Sequence, residues 1–145
     1  MRWRLIVPAL VIGGCAVGSA LAAGSKDDRE HIMKQIAGAT GALAAIAKGE
    51  KPYDAGTVQT ALTTISTNAK AFPEQFPPGS DSGDKAASPE IWKNFADFKA
   101  RADKLSGDAE MILAQLPVDP AAVGGALKTL GASCGGCHKV YRLKD

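Results

Sequence analysis

Five consecutive residues near the C-terminus, Cys134-Gly135-Gly136-Cys137-His138, concentrate the chemistry of this sequence. Two thiols three positions apart, followed at once by an imidazole, form a C-x-x-C-H pattern, the attachment signature of a haem held by thioether bonds. The spacing has a physical basis. On a helix, positions i and i+3 share a face, so two sulfurs reach the two vinyl groups along one porphyrin edge. Position i+4 shares that face, so His138 can bring a ring nitrogen to the iron. Gly135 and Gly136 carry no side chains to crowd the edge.

Three other chemistries fit parts of this pattern. A thioredoxin-like dithiol opens a helix after a strand, and no alternating strand pattern precedes Cys134. A structural zinc site takes four ligands; two cysteines and one histidine leave it one short, and the sequence has no second Cys/His cluster. A disulfide between positions 134 and 137 would join adjacent turns of one helix and constrain little. Covalent haem attachment accounts for the motif best.

The elements that must carry the motif read as four helices. The first spans about 27–47, with Ile32, Ile36, Ala39, Leu43 and Ile46 recurring at spacings of four and three, the stripe of an amphipathic helix. Asp27 and Asp28 suit its N-terminus, and Gly49 and Pro52 end it. Asp54 is placed to cap the second, whose stripe is Val58, Leu62, Ile65 and Ala69. Residues 72–87, rich in Pro, Gly, Ser and Asp, read as a long irregular connection. Ser88-Pro89 opens the third helix, striped by Ile91, Phe95, Phe98, Ala102, Leu105, Ala109, Ile112 and Leu116. Asp119-Pro120 opens the fourth, with Val123, Leu127, Leu130, Cys134, Cys137 and Tyr141 on its stripe. The sequence therefore predicts an all-α antiparallel, up-down-up-down four-helix bundle. Both cysteines fall on its inner seam, which places the haem in the bundle core.

The first 22 residues read as something to be discarded. Arg2 and Arg4 precede an apolar run beginning at Leu5, and Ala20-Leu21-Ala22 is a small-x-small cleavage site, the layout of a secretory signal peptide. The run falls short of the ~20 apolar residues of a transmembrane span. Cys15 lies inside this segment; acylation of Cys15 as a lipoprotein is the weaker alternative. Cleavage leaves a single domain, 23–145, with 15 basic and 15 acidic side chains, two cysteines, two methionines and two histidines. A chain that is 46% apolar but only 6% aromatic can bury a helical core, and its near-neutral charge offers no field for nucleic acid.

A four-helix chain with C-x-x-C-H near its C-terminus resembles the class II c-type cytochromes, the cytochrome c-556 and cytochrome c′ family. The likeness extends over the whole mature chain. Residues 46–54 are similar to the family's first interhelix loop, Ser88-Pro89-Glu90-Ile91-Trp92 to its third-helix start, and Cys137-His138-Lys139-Val140-Tyr141-Arg142 to its pattern of an aromatic and then Arg after the haem histidine. The resemblance implies one covalently bound haem c on Cys134 and Cys137, with His138 as proximal axial ligand. It implies a periplasmic protein, because bacteria attach haem c outside the cytoplasm, and electron transport rather than enzymatic catalysis. Its partners would be redox proteins of a periplasmic chain, and it admits a homodimer through the first two helices. It also places Arg29, Arg142, Ser80 and Asp81 around the haem; Glu30 stands where many relatives have Gln.

The far face of the iron has few candidates: Met33, Met111, His31 or no side chain. In an up-down bundle the start of helix one lies at the same end as the end of helix four, about 9 Å in for both Met33 and His138. Met111 falls toward the opposite end, and His31 lies off the stripe. Met33 is thus the candidate distal ligand, as in cytochrome c-556, giving a low-spin one-electron carrier. Core packing is the alternative for Met33; the iron would then be five-coordinate and high-spin, binding nitric oxide or carbon monoxide as in cytochrome c′. A peroxidase would want a polar distal acid–base pair, and helix one offers only His31.

Overall fold

The computed structural model describes residues 24–81 and 83–143. The signal-peptide reading, the cleavage site and Cys15 lie outside the described residues. The helices are α1 (Lys26–Ala47), α2 (Ala55–Ala71), α3 (Glu90–Lys93), α4 (Phe95–Ala114) and α5 (Pro120–Tyr141), with a 3-10 turn over Phe72–Gln75 after α2. No described helix is long and apolar enough to cross a membrane.

Each boundary has a local cause. Ser25 caps α1 in a reciprocal box with Asp28: its Oγ accepts from the Asp28 amide, and the Asp28 carboxylate accepts from the Ser25 amide. Gly49, at φ 73°, ends the first helical run in the left-handed conformation that glycine adopts freely. The Asp54 carboxylate accepts from both the amide and the hydroxyl of Thr57 at 2.6 Å, and Asp119 accepts from the Ala122 amide at 2.7 Å with Pro120 in the first turn of α5. Removing one such cap has a defined expected cost: Asp54→Ala should lower unfolding free energy by about 1 kcal/mol, read as a lower urea midpoint with unchanged slope.

The helices pack in a square, α1 against α2 and α5, α4 against α2 and α5. The Tyr53 hydroxyl donates to the Pro117 carbonyl, tying the α1–α2 and α4–α5 connections together at one end. A Cβ on Gly124, early in α5, would sit 3.9 Å from the Ala47 side chain at the end of α1. At the other end the Gly24 amide donates to Gln75, just past α2, and the end of α5 meets residues 86–88. This is the up-down-up-down order. The stripes are the core: Leu43, Ile46, Val58, Leu62, Ile65, Ala109, Val123 and Leu130 are all buried in one cluster. A second cluster of Phe76, Ile91, Phe98 and Tyr141 fills the end where α1 begins and α5 ends, with Phe98 edge-on to Phe76 and Tyr141.

The third helix departs from expectation. Asn94 leaves helical geometry (φ −124°, ψ 46°), splitting it into α3 and α4. The Asn94 carbonyl accepts from the Phe98 amide at 3.0 Å and, more distantly, from the Tyr141 hydroxyl, so backbone bonding continues across the break while the side-chain register shifts. Phe98, expected on the core stripe, is buried, whereas Phe95, expected on the same stripe, is 39% exposed. The fourth helix also stops earlier than the height argument assumed. Arg142 turns to extended backbone and pairs antiparallel with Ala87, leaving His138 three residues from the helix end, while Met33 is seven residues into α1.

Candidate functional site

α5 runs without interruption through Cys134-Gly135-Gly136-Cys137-His138, so the helical spacing that the motif's chemistry needs is realised. The two thiols divide the core between them. Cys134 is half-buried against the larger cluster, which also holds Ile32 and Met33, and Cys137 is half-buried against the aromatic cluster. The sulfurs thus sit on the seam between two apolar bodies. Burial pushes both thiols above their ordinary pKa, with Arg101 opposing the shift at Cys137, so both are neutral at pH 7. His138 has an exposed surface, yet enough chain packs about its imidazole for desolvation to lower its pKa, with the Arg142 charge adding to the shift. The neutral imidazole is the form that ligates a metal.

Three side chains brace this turn; the sequence reading placed Tyr141 on the helix stripe but did not single out Arg101 or Asp97. The Arg101 Nη1 donates to the Gly136 carbonyl at 2.9 Å, reaching from α4 onto the motif itself. Its Nε donates to Asp97 at 2.7 Å, and Asp97 also accepts from the buried Tyr141 hydroxyl at 2.6 Å. Burial, then the hydrogen bond to Asp97, push the Tyr141 phenol up to about 12, so it remains a donor at any physiological pH. The sequence carried a partial signal: Asp97 and Arg101 are spaced i,i+4 on a helix, and Tyr141 follows Cys137 by one turn.

Across from α5, the first turns of α1 present Ile32 and Met33, both half-buried against the cluster that Cys134 joins. The other candidates for the iron lie elsewhere. His31 is exposed and pairs with Gln35 at 3.1 Å, and Met111 is 64% exposed. Arg29 is 4% exposed. Its Nε donates to the Gln75 carbonyl, Nη1 to the Asp84 carboxylate at 3.1 Å, and Nη2 to the Gly24 carbonyl, the Ser80 carbonyl and Ser80 Oγ. The guanidinium also lies over Phe76, 4.2 Å from the ring centroid. Of five N–H donors, one on Nη1 has no protein partner among the described residues. Ser80 therefore does meet Arg29. Asp81 is exposed with no ion pair among the described residues. Arg142 is exposed, and its amide donates to the His138 carbonyl. Glu30 faces solvent between Lys26 and Lys34.

The donor set fits a haem. Among the described residues no three His, Cys, Asp or Glu side chains converge as a metal-ion cluster. The two thiols and the imidazole instead spread along one helix face, as a porphyrin edge and its iron require. A Cβ on Gly135 would meet nothing within 4 Å, and one on Gly136 only the Arg101 guanidinium at 3.9 Å. Packing within the chain therefore does not demand these glycines.

The family model described as Cytochrome C′ matches residues 26–142, from the first residue of α1 past the end of α5. The chain belongs to this family. Cytochrome c-556 of Agrobacterium fabrum is 58% identical over 144 residues, covering 99% of this chain and 98% of that one. The structure of cytochrome c′ from Rhodopseudomonas palustris superimposes with a TM-score of 0.76 at 33% identity, covering 82% of this chain and 95% of that one. The structure of oxidised cytochrome c556 from Rhodopseudomonas palustris gives 0.73 at 30% identity, with 82% and 95% covered. Family membership brings a covalently bound haem c and the role of a haem electron carrier or gas binder. Both branches of the family share the fold, so the fold does not choose between them.

Proposed function

We propose that this protein is a periplasmic one-electron carrier. Cys134 and Cys137 hold one haem c by thioethers, His138 ligates the iron from α5 and Met33 ligates it from α1. The haem supplies the electron, its iron cycling between ferrous and ferric. The chain's own residues hold it in place. Arg101 fixes the Gly136 carbonyl and with it the motif's backbone, Tyr141 and Asp97 brace the same turn, and the aromatic cluster keeps water from one side. Ile32 and Ile36 keep the opposite side apolar. A thioether ligand stabilises the ferrous state and raises the potential.

The observation that carries this reading is the placement of Met33. It is half-buried against the same core cluster as Cys134, on the helix packed against α5. The 58% identity to a cytochrome c-556 supports the same choice. Export follows from residues 1–22, removed before the domain matures. A homodimer would use the open groove between α1 and α2, lined by Gln35, Gly38, Ala42, Thr57, Thr60 and Thr64, with sedimentation at several concentrations as its check.

Optical spectroscopy tests the ligand set. The purified holoprotein should be low-spin in both redox states and indifferent to carbon monoxide. Met33→Ala should turn it high-spin and carbon monoxide-reactive. A natural protein that is already high-spin and takes up carbon monoxide would overturn Met33 ligation and favour the five-coordinate gas-binding alternative.

A further inference from the structure

We propose that the tail of α5 and the extended segment paired with it form a docking surface for a partner protein with an acidic face. The inference rests on the electron-carrier reading, since its position beside His138 is what makes it a route for electrons. Between Asp119 and Asp145 the sequence contains no acidic residue, yet it holds Lys128, Lys139, Arg142 and Lys144. The fold brings one more cation to this run. The Leu143 amide donates to the Ala86 carbonyl, the Ser88 amide donates to the Tyr141 carbonyl and Ala87 bridges Arg142, which brings Lys85 near Leu143.

Many cations elsewhere in the chain are held in ion pairs. Lys26, Lys34, Lys48, Lys93, Lys99, Arg101 and Lys104 each lie within 4.0 Å of a carboxylate, and Arg29 is buried on Asp84. Lys85, Lys139 and Arg142 have no such partner among the described residues, nor do Lys51, Lys70 and Lys128; the first three are the ones that the end of α5 and the segment paired with it bring together. The same run carries two of the exposed large apolar side chains, Val140 at 41% and Leu143 at 42% exposure. An apolar centre within a charged rim is the anatomy of a protein interface. The charges set encounter rate and orientation, and an acidic face is their complement. Two apolar side chains are too small an area to hold a membrane, and the mature chain's equal numbers of acids and bases give no general attraction to polyanions. Recognition would therefore depend on this patch.

The test uses the ferric holoprotein on gold coated with carboxylate-terminated or ammonium-terminated monolayers, with mass uptake and voltammetric current recorded together. Selective uptake on the carboxylate surface is expected at about 0.01 M salt and its loss at about 0.5 M, where the screening length falls to a few ångströms. The double variant Lys85→Glu/Lys139→Glu should lose at least tenfold of that uptake while its optical spectrum stays unchanged. Equal uptake on both surfaces, preference for ammonium, or a double variant indistinguishable from the natural chain would overturn the docking surface. Selective uptake with no current would leave the docking surface standing and sink the electron-carrier reading instead.

Discussion

Cys134→Ser/Cys137→Ser is expected to abolish covalent haem retention. In the natural protein the haem should resist extraction into acidified organic solvent, because two carbon–sulfur bonds hold it after the chain unfolds. In the double variant all of it should extract, and the denatured polypeptide should have the mass of the bare chain. Each single variant should retain haem through one bond, with the vinyl group left intact at the other position. The argument is geometric. Both sulfurs lie on one face of an unbroken helix, on the seam between two apolar clusters, and serine supplies no nucleophile of comparable strength. The experiment also separates the competing chemistries, since a dithiol, a disulfide or a zinc site would leave no extraction-resistant haem in the natural protein. Extraction-resistant haem persisting in the double variant would show that these thiols are not its anchors.

Arg29→Met should destabilise the holoprotein by about 3–5 kcal/mol, the usual cost of leaving one member of a buried ion pair without its partner. For a domain of this size that lowers the melting temperature by on the order of 10 °C. Arg29 and Asp84 keep only 5% and 8% of their side-chain surface exposed, so little water can take the guanidinium's place. Beyond the pair, Arg29 ties together Gly24 before α1, Gln75 after α2 and Ser80 in the long connection. An exposed pair of the same residue types would be worth at most about 1 kcal/mol. Arg29→Lys should recover only part of the loss, because a single ammonium cannot reproduce the planar fork. The pair itself is isolated by a cycle: Arg29→Met should cost much less in an Asp84→Asn background, where no buried charge is orphaned. A loss below 1 kcal/mol for Arg29→Met alone would mean that the latch is not rigid in solution.

The two experiments probe different layers of one end of the bundle. The cysteines act on the cofactor directly. Arg29 acts on the framework: it closes the loop of residues 76–89 over the start of α1, the helix that carries Met33. The resemblance to class II cytochromes places Arg29 near the haem; the structure shows four residues gathered on its guanidinium, Gly24, Gln75, Ser80 and Asp84, with one N–H free of protein partners among the described residues.

What the sequence determined by itself is the periodic and the local. Apolar residues at spacings of three and four put Leu43, Val58, Leu62, Ala109, Val123 and Leu130 in the core, because a helix turns every 3.6 residues whatever its neighbours. The caps at Asp54 and Asp119 were legible because a carboxylate reaches the open amides two or three residues on. The C-x-x-C-H motif was legible for the same reason: its chemistry depends only on helical spacing. The tertiary structure decided whatever needs two distant segments. The break at Asn94 leaves Phe95 exposed although its stripe position is inward. The pairing of residues 86–88 with 141–143 ends α5 early and gathers Lys85 with Arg142. The partners of Arg29 lie 46 to 55 residues away at Gln75, Ser80 and Asp84, and Arg101 reaches Gly136 across 35. No periodicity encodes such contacts, since they arise only when packing of the stripes has brought the helix ends together.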